Sequence, residues 1–243
     1  MDPYYDQDPE FVRSQCRMLY GHETWLENPR KEDGKIVIDG NYGHHMVNDR
    51  PMPIDYANVA IFDAKGKADI KYEQGPEDNC LRVKFPDVGA GPYTVYYTSD
   101  SVPWIENDEG WSRGIKRDFR NVKYSAAYSL ACKAIVSDDG KAPDVLFSDL
   151  DITVDTAKPK AGSKVKTQIF YEGKPKANLR VNVVKKGASD TVKFITDADG
   201  RFEFPVDSPG TYMIAAKYAD TSKAVEDEFD EAVYEITLLV YAQ

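Results

Sequence analysis

Cysteine and histidine are scarce in this chain, and long apolar runs are missing altogether. Its 3 cysteines, Cys16, Cys80 and Cys132, show no C-x-x-C spacing. An odd, sparse set allows at most one disulfide, so the chain is no disulfide-stapled scaffold. No stretch approaches the ~18 apolar residues that a membrane-spanning helix needs. The N-terminus, Met1-Asp2-Pro3-Tyr4-Tyr5-Asp6-Gln7-Asp8, lacks the basic-then-apolar order of a secretory leader. That leaves two expectations, an intracellular (cytoplasmic) protein or an exported one whose leader has been removed. Positive charge is in deficit too: 31 Lys and Arg against 41 Asp and Glu give a net charge of −10. A surface this acidic repels phosphate backbones, so no nucleic-acid partner is expected. The sequence also holds no nucleophile elbow, phosphate-binding glycine loop, dinucleotide fingerprint or H-E-x-x-H segment. On those grounds the chain reads as a non-enzyme.

What is present is a sequence built for strands. Aromatics supply 12% of residues and hydrophobic residues 42%, too rich for disorder. Short apolar runs alternate with turn residues. Residues 1–18 read as an extended arm. Strands are expected at Leu19–Glu27, Lys35–Ile38, Tyr56–Phe62, Asp69–Tyr72, Cys80–Phe85 and Tyr93–Thr98, with a Gly- and Asn-rich loop from Asn41 to Pro53. Tyr124–Val136 suits helix or strand by composition, and its neighbours favour strand. Ser137-Asp138-Asp139-Gly140-Lys141-Ala142-Pro143 is the clearest linker signal, which divides the chain into domains at 19–145 and 146–243. Beyond it seven short strands follow, from Asp151–Asp155 through Lys164–Tyr171, Leu179–Val184, Thr191–Thr196, Arg201–Val206 and Thr211–Tyr218 to Ala232–Tyr241. That spacing predicts an immunoglobulin-like sandwich. Asp199-Gly200 reads as a tight hairpin turn. The expected fold class is therefore all-β, with two β-sandwich domains, the second immunoglobulin-like or prealbumin-like.

All 3 histidines fall between positions 22 and 45, in Gly21-His22-Glu23-Thr24-Trp25-Leu26-Glu27 and Gly43-His44-His45-Met46. Neutral imidazole is the commonest side-chain ligand for transition metals. The candidate metal ligands are therefore His22, His44 and His45, two or three of them completed by Asp49, Glu23 or water. Strand alternation sets His22 and Glu23 on opposite faces and makes His44 rather than His45 the residue that faces His22. Nickel, cobalt, copper and zinc all suit such a set, and affinity order does not choose among them. The bland alternative is that each ring bonds to nearby backbone.

Further strings carry a resemblance. In the second half they are Val165-x-Thr167-x-Ile169-x-Tyr171-x-Gly173-Lys174-Pro175, Thr196-Asp197-x-x-Gly200-x-Phe202-x-Phe204 and Pro209-Gly210-x-Tyr212. With His22-Glu23-x-Trp25-Leu26-Glu27 and Gly43-His44 upstream, the chain resembles a family of periplasmic components of nickel or cobalt uptake systems, otherwise described as a domain of unknown function. The likeness spans about residues 20–241. It implies export to the periplasm or cell exterior, nickel or cobalt as the bound ion, and a membrane metal transporter as partner. The competing expectation is a structural or adhesive module, with Trp25, Trp104 and Trp111 as a glycan-stacking surface and the histidines incidental. Of these, Trp25 looks most like core. The acidic runs at Glu106–Glu109 and Glu226–Glu231 lack EF-hand spacing and read as solvated loops.

Overall fold

The computed structural model describes residues 23–52, 58–89 and 91–243. The first half forms β1 (Glu23–Glu32), β2 (Lys35–His44), β3 (Val47–Pro51), β4 (Asn58–Asp63), β5 (Gly66–Lys67) and β6 (Glu73–Glu77). It continues with β7 (Cys80–Pro86), β8 (Tyr93–Thr98), β9 (Val102–Asn107), β10 (Gly110–Arg113) and β11 (Tyr124–Val136). The second half forms β12 (Leu150–Val154), β13 (Ser163–Tyr171), β14 (Lys174–Pro175) and β15 (Arg180–Lys185). The remaining strands are β16 (Thr191–Ile195), β17 (Arg201–Val206), β18 (Gly210–Asp220) and β19 (Glu231–Ala242). The expected all-β class holds.

These strands build three sheets in three layers. The central one has ten strands, in the order β16-β15-β18-β19-β11-β8-β4-β5, with the β9–β10 hairpin also on β11. A five-stranded sheet, β1-β2-β7-β6 with β3 on β2, covers one face of its first half. There Leu26, Ile36, Ile38, Leu81, Val83 and Phe85 meet Ile61, Tyr93, Val95, Cys132 and Ala134. A four-stranded sheet, made of β12, β13, β14 and β17, packs on the other face. Its Ile152, Val165, Ile169 and Phe204 meet Val183, Ile214, Ile236 and Leu238.

In the second half, β12, β13 and β17 lie on one sheet and β16, β15, β18 and β19 on the other. This is the immunoglobulin-type division of strands, so the sandwich read from turn spacing is present. The linker near residue 145 joins β11 to β12. Across it the two halves share one sheet through parallel β11–β19 pairing, from Ala126↔Glu231 to Lys133↔Leu238.

β11 shows why its sequence is ambiguous. Ala131 and Ile135 enter one core and Cys132, Ala134 and Val136 the other. A strand buried on both faces has no reason to alternate polar and apolar residues, and its alanines let three layers approach closely.

Several expected elements differ. Asn41–Pro53 is no open loop: β2 continues to His44 and returns as β3. The turn residues His45 (φ 51°) and Met46 (φ 59°) are both left-handed, as a two-residue hairpin turn of this hand requires. The usual Asn-Gly signal is missing there, which hid the turn. Asp69–Tyr72 is not a strand, and β6 forms after it. Trp104 and Trp111 lie on the β9–β10 hairpin rather than in a connection. Trp104 packs beside Ala126 and Val233, and Trp111 meets Tyr124 edge-on at 5.8 Å, while both remain partly exposed. Asp199-Gly200 does not close a hairpin within one sheet, because β16 pairs with β15 and β17 with β13. The turn instead carries the chain from one layer to the other. The arm at 1–18, Cys16, residues 19–22 of the first expected strand and the start of Tyr56–Phe62 lie outside the described residues. Cys80 and Cys132 are buried and free.

Candidate functional site

The segment Glu23-Thr24-Trp25-Leu26-Glu27 opens β1 and is buried throughout. Trp25 has no exposed surface and packs on Met46 of the β2–β3 turn and on Met213 and Leu239 of the neighbouring layer. Its indole N–H donates to Glu27 Oε2 at 3.1 Å, and Lys186 Nζ bonds Glu27 Oε1 from the β15–β16 turn. The Thr237 hydroxyl donates to the Thr24 carbonyl at 2.6 Å. The Trp-Leu-Glu part of the motif therefore fastens the first sheet to the central one. Its polar residue is buried because two donors satisfy it.

The histidines are placed unevenly. His22 lies outside the described residues. Glu23 is buried on β1 and opposes Gly43 on β2. His44 ends β2, and its Nδ1 lies 3.0 Å from Asp49 Oδ2 on β3, across the two-residue turn. Both side chains are partly open to solvent, at 34% and 43%. His45 takes the left-handed turn position, half-buried, and Met46 beside it anchors the turn on Met213. Gly43 makes the hairpin possible, since a Cβ there would stand 1.9 Å from the Val47 carbonyl oxygen and 2.9 Å from the Asp49 nitrogen. The strands could not approach closely enough to bring Asp49 to His44 with any larger residue at that position.

Of the five predicted ligands, the structure thus brings His44 and Asp49 together. Among the described residues, no group of three or more His, Cys, Asp or Glu side chains is arranged to hold a metal ion. Glu23 and His45 complete no such set there. What the pair offers is an imidazole held beside a carboxylate, with Nδ1 as the contacting nitrogen. A carboxylate behind a histidine is the usual support of a metal-ligating ring.

Two polar groupings escaped the sequence reading. On the first sheet Asp39 accepts from Arg82 Nε at 2.8 Å and from Arg30 at 2.9 Å. Burial pushes the Asp39 carboxyl up, but these bonds outweigh it and hold the group below the usual carboxylate range. Between layers, Lys133 and Asp151 are buried together at 3.2 Å. Neither has a linear spacing that could announce it, because each group is brought together only when its strands pair or stack.

Among solved structures, the chain is similar to the D0-D1 domain of Intimin, at 14% identity and a TM-score of 0.24, covering 90% of this chain and 97% of that one. Alpha-2-macroglobulin from Escherichia coli, domains MG0-NIE-MG1, matches at 12% identity and a TM-score of 0.23, covering 88% and 71%. A tetra-tandem repeat from the extending region of a large adhesion protein matches at 14% identity and a TM-score of 0.25, covering 92% and 50%. None of the curated proteins compared with it matches the chain. No helix among the described residues is long and apolar enough to cross a membrane. The family described as a domain of unknown function, DUF4198, matches residues 19–220. That stretch includes both histidine segments and runs through β18, so the chain belongs to this family.

Proposed function

We propose that the protein is a non-enzymatic binding protein for a divalent transition metal, with His44 as its anchoring ligand. The observation that carries this reading is the 3.0 Å contact between His44 Nδ1 and Asp49 Oδ2 on the β2–β3 hairpin. It pairs a partly exposed imidazole with a carboxylate, the kind of support that metal-ligating histidines have. His22, which directly precedes Glu23 in the chain, is the second imidazole of the proposal. Nickel and cobalt are the favoured ions by family resemblance, and copper and zinc satisfy the same ligands. An exported protein at the cell envelope that passes the ion to a membrane transporter fits this chemistry. The adhesive alternative keeps the partly exposed Trp104 and Trp111 and loses Trp25, which has no exposed surface.

Calorimetric titration of the metal-stripped protein with Ni²⁺, Co²⁺, Cu²⁺ and Zn²⁺ tests the proposal. His44→Ala should abolish the binding heat, and His22→Ala should weaken it by an order of magnitude or more. Asp49→Asn should cost about 10–100-fold in affinity, as expected for a residue that orients a ligand. Equal, weak binding in wild type and in all three variants would leave the histidines as surface residues and end the metal reading.

A further inference from the structure

A second site of chemistry is buried between the layers. Lys133 lies in the middle of β11 with no exposed surface, and Asp151 near the start of β12 is 1% exposed. Lys133 Nζ stands 3.2 Å from Asp151 Oδ1 and donates to the carbonyls of Val145 and Ile152, each at 2.6 Å. The two carboxylate oxygens are held differently. Oδ2 accepts from the N–H groups of Phe147 at 2.8 Å and Ser148 at 3.1 Å, and from Ser148 Oγ at 3.2 Å. Oδ1 faces the lysine and accepts from Ile152 N–H at 2.8 Å. The Tyr96 hydroxyl lies within 3.0 Å of both oxygens and 2.8 Å from the Val145 carbonyl. Phe62 and Phe147 pack against the Tyr96 ring, so the whole group sits among aromatic walls.

We propose that Lys133 and Asp151 condense into an intramolecular amide bond that covalently ties β11 to β12. A lysine–carboxylate contact buried this fully is poised for this reaction, because dehydration is opposed in solution chiefly by bulk water and by both groups being charged. Burial pushes the Lys133 ammonium toward its neutral amine. Transfer of one proton along the 3.2 Å contact leaves an amine facing a carboxylic acid. Nζ then attacks Cγ, forming the C–N bond. The developing negative charge on Oδ2 falls among the Phe147 and Ser148 N–H groups, which act as an oxyanion hole. The C–Oδ1 bond breaks, and Oδ1 leaves as water carrying both protons that nitrogen gives up. The second proton passes from nitrogen to the departing Oδ1 along the same contact, and the Tyr96 hydroxyl, which stays protonated and touches both carboxylate oxygens, supports that departure as a hydrogen-bond donor. Ammonium plus carboxylate become amide plus water, so no oxidant or co-reactant is required. The product keeps one N–H to donate to the Val145 or Ile152 carbonyl, and Oδ2 stays in place as the amide oxygen.

Mass spectrometry of the purified full-length chain, denatured and then digested with trypsin, decides the matter. The expected result is an intact mass lower than the sequence mass by one water, no cleavage after Lys133, and a branched peptide joining the Lys133 and Asp151 segments. Lys133→Met and Asp151→Ala should run at their full sequence masses, a readout that does not depend on how well either variant folds. Freshly purified Tyr96→Phe should retain a fraction at full mass. A wild-type chain at its full sequence mass with ordinary cleavage after Lys133 overturns the proposal, as does a water loss that maps elsewhere.

Discussion

Replacing Gly200 by alanine separates two costs that usually come together. Gly200 has φ +73°, and a Cβ built on it would lie 2.6 Å from the Ile169 carbonyl oxygen and 2.8 Å from the Lys176 nitrogen. Those atoms are already committed: Ile169 N–H donates to the Gly200 carbonyl at 2.8 Å, and Lys176 N–H donates to the Ile169 carbonyl at 2.9 Å. Gly173 has φ +72° but nothing within 4 Å of its virtual Cβ. Left-handed backbone costs an ordinary residue roughly 1–2 kcal/mol, and both sites carry that cost. Only Gly200 adds forced displacement of packed backbone, worth about 1–3 kcal/mol more. Gly200→Ala should therefore destabilise by about 2–5 kcal/mol and Gly173→Ala by roughly 1–2 kcal/mol. Urea unfolding followed by tryptophan fluorescence and far-UV circular dichroism gives both values from the same transition. Equal losses would mean that the close approach at the layer crossing contributes nothing, and the account of that turn would fail.

Three other outcomes are expected. Gly43→Ala should open the β2–β3 hairpin, lowering stability by about 2–4 kcal/mol and removing His44-dependent metal binding, read by thermal melting and calorimetry. Asp39 is held below its ordinary value of 3.8, so its contribution is present above that pH and is lost as pH falls through its folded-state value. Asp39→Asn should accordingly be less stable than wild type near neutrality, and acid titration of the two unfolding midpoints should bring them together below pH 3.8. The segment 146–243 carries both sheets of the second sandwich and should give a β-type circular dichroism spectrum in isolation, with a lowered midpoint because β19 loses its β11 neighbour. A disordered spectrum would show that the shared sheet is indispensable.

Much of the strand order was legible because local rules governed it. Tyr93–Thr98 and Arg201–Val206 have the same limits in sequence and structure. In the second half, Gly- and Pro-containing turns punctuate apolar runs at even intervals, and β13 and β17 each alternate buried and open positions. The all-β class and the immunoglobulin-like division follow from such patterns. The scarcity of histidine drew notice to His44 on chemical grounds alone.

Tertiary structure decided the rest. The His45-Met46 turn has no Asn-Gly or Asp-Gly signal, and its left-handed Met46 is docked on Met213 of the neighbouring layer. Asp49 and His44 meet because Gly43 lets β3 approach β2, a close contact that no spacing rule specifies. Glu27 reads as a surface carboxylate, yet it is buried between an indole and a lysine more than 150 residues away. Lys133 and Asp151 likewise belong to strands on different layers, and only stacking removes both from water. Periodicity along one chain reports which face of a strand is apolar. It carries no information about which distant strand will cover that face, and the polar contacts of this protein are set by that second choice.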